Sequence, residues 1–273
     1  MAEKVRLKRV WNKLAQTKIP QEVVYGDFLG RMYSRKWDQR ALGCVEKRFG
    51  VCADDFVLDV GCGPLARAEV YFGRKECKIV AVDVSVVTLL WAKKNLIRFG
   101  VQEQVELVAA DAECLPFKRD CFDKILAMGL VVHLPTKRSV LSALKEMCRC
   151  LKRNGACYVD WCLNMYSVFG PLMAFVTRIG FIGKKDRIQI LNFKGLEEIQ
   201  SIFKQARLKI LRTVYGSILW YGYYLFPTWF HKGIHKLLSA IHEFNNRYPR
   251  ISFFPYSFDF VAGKDSFRRG QLK

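Results

Sequence analysis

The stretch Val57-Leu58-Asp59-Val60-Gly61-Cys62-Gly63-Pro64 constrains the fold most, because apolar strand residues run directly into a glycine turn. A helical pattern follows this turn. A strand that ends at Gly-x-Gly and continues into a helix is typical of the nucleotide pocket of an α/β sheet. The motif is short, so its meaning depends on the strands and acidic residues that follow it at fixed distances.

Short apolar strands alternate with helices after this turn. The sequence predicts strands over 56–60, 78–83, 105–109, 122–128 and 156–161, and helices over 65–73, 85–99 and 137–152. Ser85 is the expected N-cap of the second helix, and Gly155 is expected to end the third helix. This alternation predicts a parallel sheet with helices on both faces.

The flanks of this region are less regular. We expect helices over 4–18, within 25–50, over 195–206 and over 231–245, and strands over 208–219 and 256–262. Because the last strand follows a late helix, it is expected to enter the sheet antiparallel.

The formal net charge of +20 is concentrated outside the regular region. Residues 1–53 contribute +7, residues 54–163 only +2, and residues 164–273 contribute +11. We therefore predict an N-terminal helical cap over 1–53, a nearly neutral ligand-binding core over 54–163, and a basic region over 164–273 that completes the sheet and carries an aromatic insert. A basic surface attracts phosphate on nucleic acid, anionic lipid or a phosphorylated ligand.

The ten cysteines form neither a metal-binding nor a disulfide pattern. None of them form Cys-x-x-Cys, and several lie inside predicted strands and helices, where a thiol acts as a small apolar side chain. Residues 1–20 are basic and amphipathic and lack the apolar centre of a secretory signal. We therefore expect free thiols in a reducing cytoplasm and no metal site.

Two kinds of cofactor fit the glycine turn. Gly61-x-Gly63-x-x-Ala66 followed by Asp83 satisfies a loose dinucleotide fingerprint, in which the acid binds a ribose. However, Asp59 lies two residues before the first glycine, where its carboxylate would repel a pyrophosphate. Asp111 is a third acid, just after the predicted strand over 105–109. These two acids favour a cofactor that places no pyrophosphate at the turn.

With these motifs in order, the chain resembles the class I S-adenosylmethionine-dependent methyltransferases, especially the branch of the ubiquinone- and menaquinone-biosynthesis methyltransferases. The resemblance covers roughly residues 54–162 and rests on 57–64, 80–85, 110–117 and 122–125, with a helix and turn over 144–155. It implies a Rossmann-like α/β fold with a seven-stranded, mostly parallel sheet whose last strand is antiparallel. It also implies S-adenosyl-L-methionine as cofactor and methyl transfer as activity.

The resemblance also implies roles for individual residues. Asp59, Gly61 and Gly63 would face the methionine part of the cofactor, and Asp83 would accept both ribose hydroxyls. The other implied contacts are Val84, Asp111 and Ala112 at the adenine, and Met128 and Gly129 beside the sulfonium. Where the family often has a further glycine, this chain has Leu65 or Ala66.

The acceptor side offers one candidate for a catalytic base. His133 follows the strand over 122–128, where methyl acceptors of this class bind, and a base is needed only if the acceptor loses a proton. The alternative is a histidine that caps the next helix or packs against its loop. The Asn/Asp-Pro-Pro-aromatic signature of exocyclic-amine methyltransferases is missing from the sequence after that strand, which argues against DNA-adenine or glutamine-type acceptors.

The aromatic residues suggest what the acceptor is. Residues 164–273 hold 22 of the 37 aromatic residues, and the runs 161–177 and 213–230 carry no charge. Aromatic runs flanked by positive charge are typical of a bilayer interface, whereas a nucleic-acid track interleaves the two more finely. We predict a small-molecule acceptor that is apolar or lipid-linked, reached at the cytoplasmic face of an anionic membrane.

Three alternatives to this prediction remain open. The aromatic runs could form a lid in a soluble methyltransferase for a small metabolite. The acceptor could be RNA, although nucleic acid is the less favoured partner. The chain could also be a non-catalytic S-adenosylmethionine-binding partner protein. The sequence makes no prediction of an oligomeric state.

Overall fold

The computed structural model describes residues 2–18, 20, 42–43, 45–164, 192–193, 195–216 and 257–264. Its helices are α1 (Ala2–Thr17), α2 (Arg67–Gly73), α3 (Val86–Phe99), α4 (Lys137–Cys150) and α5 (Leu196–Gln205). Its strands are β1 (Phe56–Val60), β2 (Lys78–Asp83), β3 (Val105–Ala109), β4 (Phe122–Ala127), β5 (Leu151–Asn164), β6 (Asn192–Phe193), β7 (Leu208–Gly216) and β8 (Ser257–Lys264).

Seven strands form one twisted sheet in the order β3-β2-β1-β4-β5-β8-β7, and the two-residue β6 pairs with the end of β5. The ladders from β3 to β5 are parallel, whereas β8 runs antiparallel to both β5 and β7. Six of the seven strands therefore point the same way. The predicted Rossmann-like sheet with an antiparallel last strand is confirmed.

The core lies in two layers, one on each face of the sheet, because strand residues alternate between the faces. On one face Leu58 and Ile125 pack with α4 and α5, whose buried residues include Leu144 and Phe203. The other face buries a second cluster that contains Val57, Leu126, Tyr158, Phe49 and Phe72. A fully buried Leu or Phe side chain stabilises the fold by about 1.5–3 kcal/mol relative to an exposed one.

The helix-to-strand connection before β5 differs from the prediction. Helix α4 ends at Cys150 with Leu151 as an extended C-cap, so the prediction that Gly155 ends this helix is wrong. Gly155 instead lies inside β5, next to a register shift between Phe122 and Lys124. A Cβ atom on Gly155 would come within 2.7 Å of the Asp123 carbonyl oxygen. The glycine is thus required by the close approach of two strands rather than by a helix end.

The eight cysteines whose side chains are described are free, as expected. No helix in the described part of the chain is both long and apolar enough to span a bilayer. Several predictions fall outside the described residues: the helix over 231–245, the part of the helical pair over 25–41, and most of the two aromatic runs, over 165–177 and 217–230.

Candidate cofactor and active site

The carboxyl ends of the parallel strands meet at one edge of the sheet, where they place Asp59, Asp83, Gly129 and Asp160. The strand order reverses there between β1 and β4. In open α/β sheets, ligands bind in the crevice that this reversal creates. The candidate site therefore lies at the ends of β1, β2, β4 and β5.

The glycine turn after β1 is fixed by hydrogen bonds to β2. The backbone N–H groups of Gly61 and Cys62 donate to the Val82 carbonyl, at 2.7 and 3.0 Å. Gly61 and Gly63 have φ angles of +84° and +67°, which favour glycine. A Cβ atom on Gly63 would meet no atom within 4 Å, so this part of the turn borders open space that a ligand can fill.

Ala66 takes a glycine-like backbone conformation at a position where the resembled family often has a further glycine. It is the N-cap of α2 and takes a left-handed conformation with φ +47° and ψ +50°. This conformation costs a non-glycine residue roughly 1–2 kcal/mol. The turn therefore retains a backbone path that suits glycine, although alanine occupies the position.

The Asp83 carboxylate is held in place by two backbone donors. Its Oδ1 accepts from the Ser85 N–H at 2.8 Å, and its Oδ2 accepts from the Gly63 N–H at 3.3 Å. Burial raises the pKa of Asp83 to about 6, and these N–H groups oppose that shift. Asp83 is thus mostly ionised at neutral pH, and each oxygen keeps a lone pair for a further donor such as a ribose hydroxyl. Val84, the next residue, is half-buried.

The loop after β3 places Asp111 and Ala112. The Oδ1 atom of Asp111 accepts from the Glu113 N–H at 2.9 Å, and Ala112 is buried. Two residues of α4 hold the rest of this loop. Glu146 accepts from the Leu115 N–H at 2.9 Å, and Arg149 donates to the carbonyls of Leu115 and Phe117 at 2.9 and 2.6 Å.

Glu146 and Arg149 also contact each other through two hydrogen bonds of 2.8 Å. Their role in the site was not predicted from the sequence. Their spacing of three residues on a helix was the available signal, because residues at i and i+3 lie on one helical face.

Gly129 and Asp160 meet at the ends of β4 and β5. The Gly129 N–H donates to the Asp160 carboxyl group, and a Cβ atom on Gly129 would meet no atom within 4 Å. Burial, together with the nearby Asp259, raises the pKa of Asp160 to about 8. Asp160 is therefore mostly protonated at neutral pH. Met128, before this glycine, is half-buried against the second core cluster.

His133 ends a short 3-10 turn, Val131–His133, between β4 and α4. The Trp11 ring of α1 packs edge-on against its imidazole, with 5.1 Å between ring centroids. Its Nδ1 atom is enclosed and has no hydrogen-bond partner among the described residues. Burial lowers the pKa of His133 to about 4, so the imidazole is uncharged at neutral pH.

Helix α1 also reaches the cofactor side of the site. The Ser85 hydroxyl donates to Asn12 Oδ1 at 2.6 Å, and the Trp91 Nε1–H donates to the Ala15 carbonyl at 3.0 Å. Ser85 is at the same time the N-cap of α3, since its Oγ accepts from the Thr88 N–H. One face of α1 thus contacts both the Asp83 loop and the His133 turn. The sequence predicted a helix over 4–18 but did not identify these contacts.

The fold and the site agree with the comparisons to known proteins. Residues 57–155 match the sequence profile of a family described as a methyltransferase domain. This region is therefore a methyltransferase domain, and the expected class is confirmed for it: a class I S-adenosylmethionine-dependent methyltransferase domain whose cofactor is S-adenosyl-L-methionine.

Two curated relatives each match less than half of the chain. The chain is 33% identical over 110 residues to methyltransferase GfsG of Streptomyces halstedii. This alignment covers 40% of this chain and 38% of that protein. It is 36% identical over 128 residues to the ubiquinone/menaquinone biosynthesis C-methyltransferase UbiE of Chromobacterium violaceum, which covers 46% of this chain and 49% of the relative. The chain thus spans less than half the length of either relative.

A solved structure matches nearly the whole chain in fold. The geranyl diphosphate C-methyltransferase of Streptomyces coelicolor, crystallised with geranyl diphosphate and S-adenosyl-L-homocysteine, gives a TM-score of 0.61. The alignment covers 97% of this chain and 98% of that chain, at 13% sequence identity. At this identity the likeness shows the fold alone.

Proposed function

We propose that the chain is an enzyme that transfers a methyl group from S-adenosyl-L-methionine to an apolar or lipid-linked small molecule. The observation that carries the proposal is the meeting of Asp59, Asp83, Asp111 and the open glycine turn at one sheet edge within a methyltransferase domain. In this proposal residues 54–163 bind the cofactor, and the regions 1–53 and 164–273 build the acceptor site.

The chain offers candidate binding residues for each chemical part of the cofactor. Asp59, Gly61 and Gly63 would bind the methionine part, and Asp83 would accept from the ribose hydroxyls through its two oriented oxygens. The remaining contacts would be Val84, Asp111 and Ala112 at the adenine, with Met128 and Gly129 beside the sulfonium. The open space beside Gly63 and Gly129 suits this assignment, because the backbone can approach a ligand there.

The chemistry requires little of the protein beyond alignment and exclusion of water. When bound, S-adenosyl-L-methionine supplies a methyl group that a sulfonium already activates. The chain orients the acceptor for in-line attack. His133 is the proposed base if the acceptor loses a proton, because its imidazole is uncharged at neutral pH and its Nδ1 atom has no hydrogen-bond partner among the described residues.

Two comparisons support an apolar acceptor. A named relative acts in quinone biosynthesis, and a structure of the same fold holds geranyl diphosphate, an isoprenoid. The aromatic, charge-free runs over 161–177 and 213–230 point the same way. An acceptor of this kind partitions into lipid, so the enzyme would work at the inner face of the cytoplasmic membrane.

The outer face of α3 supports membrane contact. The exposed large hydrophobic residues of the described chain are Val86, Leu90 and Ile97, all on this helix, at 48%, 57% and 57% exposure. The exposed basic residues beside them are Lys93, Lys94 and Arg98 on α3, with Lys8, Arg9 and Lys13 on the adjoining α1. A helix face that combines apolar and basic side chains binds an anionic bilayer surface, and each basic residue contributes about 1 kcal/mol.

Calorimetry tests the cofactor part of the proposal. We expect Asp83→Ala to weaken S-adenosyl-L-methionine binding at least tenfold, because it removes both oriented acceptors of the ribose. Glu103→Gln, at an exposed position outside the site, is the matched control. Equal affinity of wild type and Asp83→Ala would remove Asp83 from the ribose.

Vesicle flotation tests the membrane part. Wild-type protein should float with phosphatidylglycerol vesicles at low salt and remain unbound with phosphatidylcholine vesicles. The double variant Leu90→Ser and Ile97→Ser should lose most of this binding. A wild-type protein that stays entirely in the soluble fraction with anionic vesicles would refute membrane contact.

A further inference from the structure

Two buried carboxyl groups lie under the glycine turn. Asp59, at the end of β1, is 3% exposed, and Glu69, in the first turn of α2, is fully buried. Oδ1 of Asp59 and both carboxyl oxygens of Glu69 have no hydrogen-bond partner among the residues that the structure describes. Buried polar atoms are nearly always hydrogen-bonded, so three unpartnered oxygens at one place require an explanation.

One shared proton accounts for this arrangement. The carboxyl groups of Asp59 and Glu69 each influence the pKa of the other, as neighbouring groups do. Ionised carboxylates have only acceptor oxygens, so the two groups can bond to each other only if one of them keeps a proton. Two bare carboxylates in contact within an apolar interior would repel each other and lack solvation.

Glu69 is the member of the pair that keeps the proton, because it is fully buried with both carboxyl oxygens unpartnered among the described residues, whereas only Oδ1 of Asp59 lacks a partner there. Burial raises the pKa of Asp59 to about 6, and the proton of Glu69 opposes that rise. Burial raises the pKa of Glu69 well above its usual range, and the neighbouring Asp59 charge raises it further. At neutral pH the pair is therefore a Glu69 carboxylic acid that donates to an Asp59 carboxylate.

The surrounding charges favour a single negative charge at this site. Arg67, on α2, is the cation that lowers the pKa of both members of the pair. Asp83 from β2 and Asp160 from β5 both interact with the charge on Asp59, and Asp259 of β8 adds its charge beside Asp160. Burial raises the pKa of the Cys62 thiol well above its usual value, and the same acids raise it further, so the thiol stays protonated. A second ionisation would thus add negative charge to an already acidic region.

We propose that Glu69 is a positioning residue that donates a hydrogen bond to Asp59, so that the pair presents one negative charge to the ammonium group of the cofactor's methionine end. This inference rests on the proposed cofactor. Without the Glu69 donor, the buried Asp59 carboxylate would keep the favourable charge of Arg67 but lose a hydrogen bond, and it would take up a proton at higher pH. Glu69 therefore sets the pH above which the site can attract a cation.

The test compares S-adenosyl-L-methionine dissociation constants from pH 5 to 8.5 in wild type, Glu69→Gln, Glu69→Leu and Asp59→Asn. Glutamine is neutral and can donate an N–H to Asp59, so Glu69→Gln should match wild type within about twofold, with the affinity falling below roughly pH 6 in both. Glu69→Leu lacks a donor, so its Asp59 should become protonated at a higher pH than in wild type. As the pH is lowered, the affinity of this variant should therefore begin to fall earlier, and at pH 7 it should be roughly tenfold weaker than that of wild type. Asp59→Asn lacks the negative charge, so its affinity for S-adenosyl-L-methionine should be low at every pH.

Two results would overturn the inference. One is a loss in Glu69→Gln as large as in Asp59→Asn, which would mean that Glu69 binds in its ionised form. The other is a Glu69→Leu profile that superimposes on that of wild type. Thermal melts of each variant establish that it is folded before its affinity is compared.

Infrared spectroscopy separates this inference from the proposed function. A buried carboxylic acid gives a carbonyl band distinct from that of a carboxylate, and wild type at pH 7 should show a band that Glu69→Gln lacks. If the wild type binds no S-adenosyl-L-methionine, the proposed function fails while the band still tests the protonated Glu69. Absence of the band from wild type would refute the inference whatever the binding data show.

Discussion

Replacing Arg149 by methionine should release the loop that carries Asp111 and Ala112. Arg149 makes two hydrogen bonds to the Glu146 carboxylate and one to each carbonyl of Leu115 and Phe117. Methionine keeps the apolar stem but removes all four donors. The expected result is a less stable protein that binds S-adenosyl-L-methionine more weakly, because the loop proposed to contact the adenine is less constrained.

The magnitude follows from the contacts. Hydrogen bonds to charged groups contribute about 1.5–3 kcal/mol each in favourable cases. The side chains of Arg149 and Glu146 are 27% and 22% exposed, so solvent weakens their ion pair only in part. Because the lost bonds share one side chain and are not additive, we expect a total loss of about 2–4 kcal/mol. That loss corresponds to a fall in Tm of roughly 4–16 °C for a chain of this size.

The pH dependence gives a second, independent readout. The hydrogen bond from Arg149 is the main reason that the pKa of Glu146 is lowered. A lowered carboxyl pKa stabilises the fold at pH values above the unfolded value of about 4.3, and this stabilisation is lost as pH falls through the folded value. The stability difference between wild type and Arg149→Met should therefore narrow below about pH 4.

Thermal denaturation from pH 3 to 8 checks both expectations, with Lys145→Met as the matched control. Lys145 is an exposed basic residue on the same helix, and its replacement should leave Tm nearly unchanged. The reasoning would be refuted if both variants had the same Tm, or if the loss in Arg149→Met were independent of pH.

Two further predictions concern His133 and Phe72. The His133 imidazole should titrate in an NMR experiment with a pKa of about 4, because burial disfavours its charged form, and a midpoint near that of an exposed histidine would contradict the enclosed site. His133→Gln should leave S-adenosyl-L-methionine binding within about twofold while slowing methyl transfer by 10²–10⁴-fold if the residue is the base. Phe72→Ala, at a position that is 0% exposed, should cost about 3–5 kcal/mol in urea denaturation, and Phe72→Leu should cost clearly less; similar losses in both variants would argue against tight packing there.

The parts of the fold that short-range patterns determine were predicted well from the sequence. Ser85 is the N-cap of α3 as expected, since a serine before an apolar helical stripe has a local reason to be there. Strands β1, β2 and β3 have the predicted bounds because each is a short apolar run between turn signals. The order of the acids along the chain likewise placed Asp59 and Asp83 at one sheet edge.

Contacts between distant elements could not be predicted in the same way. Gly155 looked like a helix end, but the close approach of β4 determines its role, and no local pattern reports that approach. Glu69 lies in the first turn of α2 and was not singled out from the sequence. Only the packing of α2 against β1 buries it beside Asp59. The same holds for Asn12, whose contact with Ser85 joins residues 73 positions apart.

The position of β8 between β5 and β7 has a consequence for how the protein is made. Among the described strands, β7 pairs only with β8, and the fully buried Phe260 of β8 contacts Phe203 of α5. Residues 257–264 are the last of the described elements to leave the ribosome. During synthesis the strands β1 to β5 can form their part of the sheet while α5 and β7 still lack their packing partner β8. The nascent chain thus exposes apolar surface until its last strand inserts, and a premature stop before residue 257 should yield an aggregating product rather than a smaller folded enzyme.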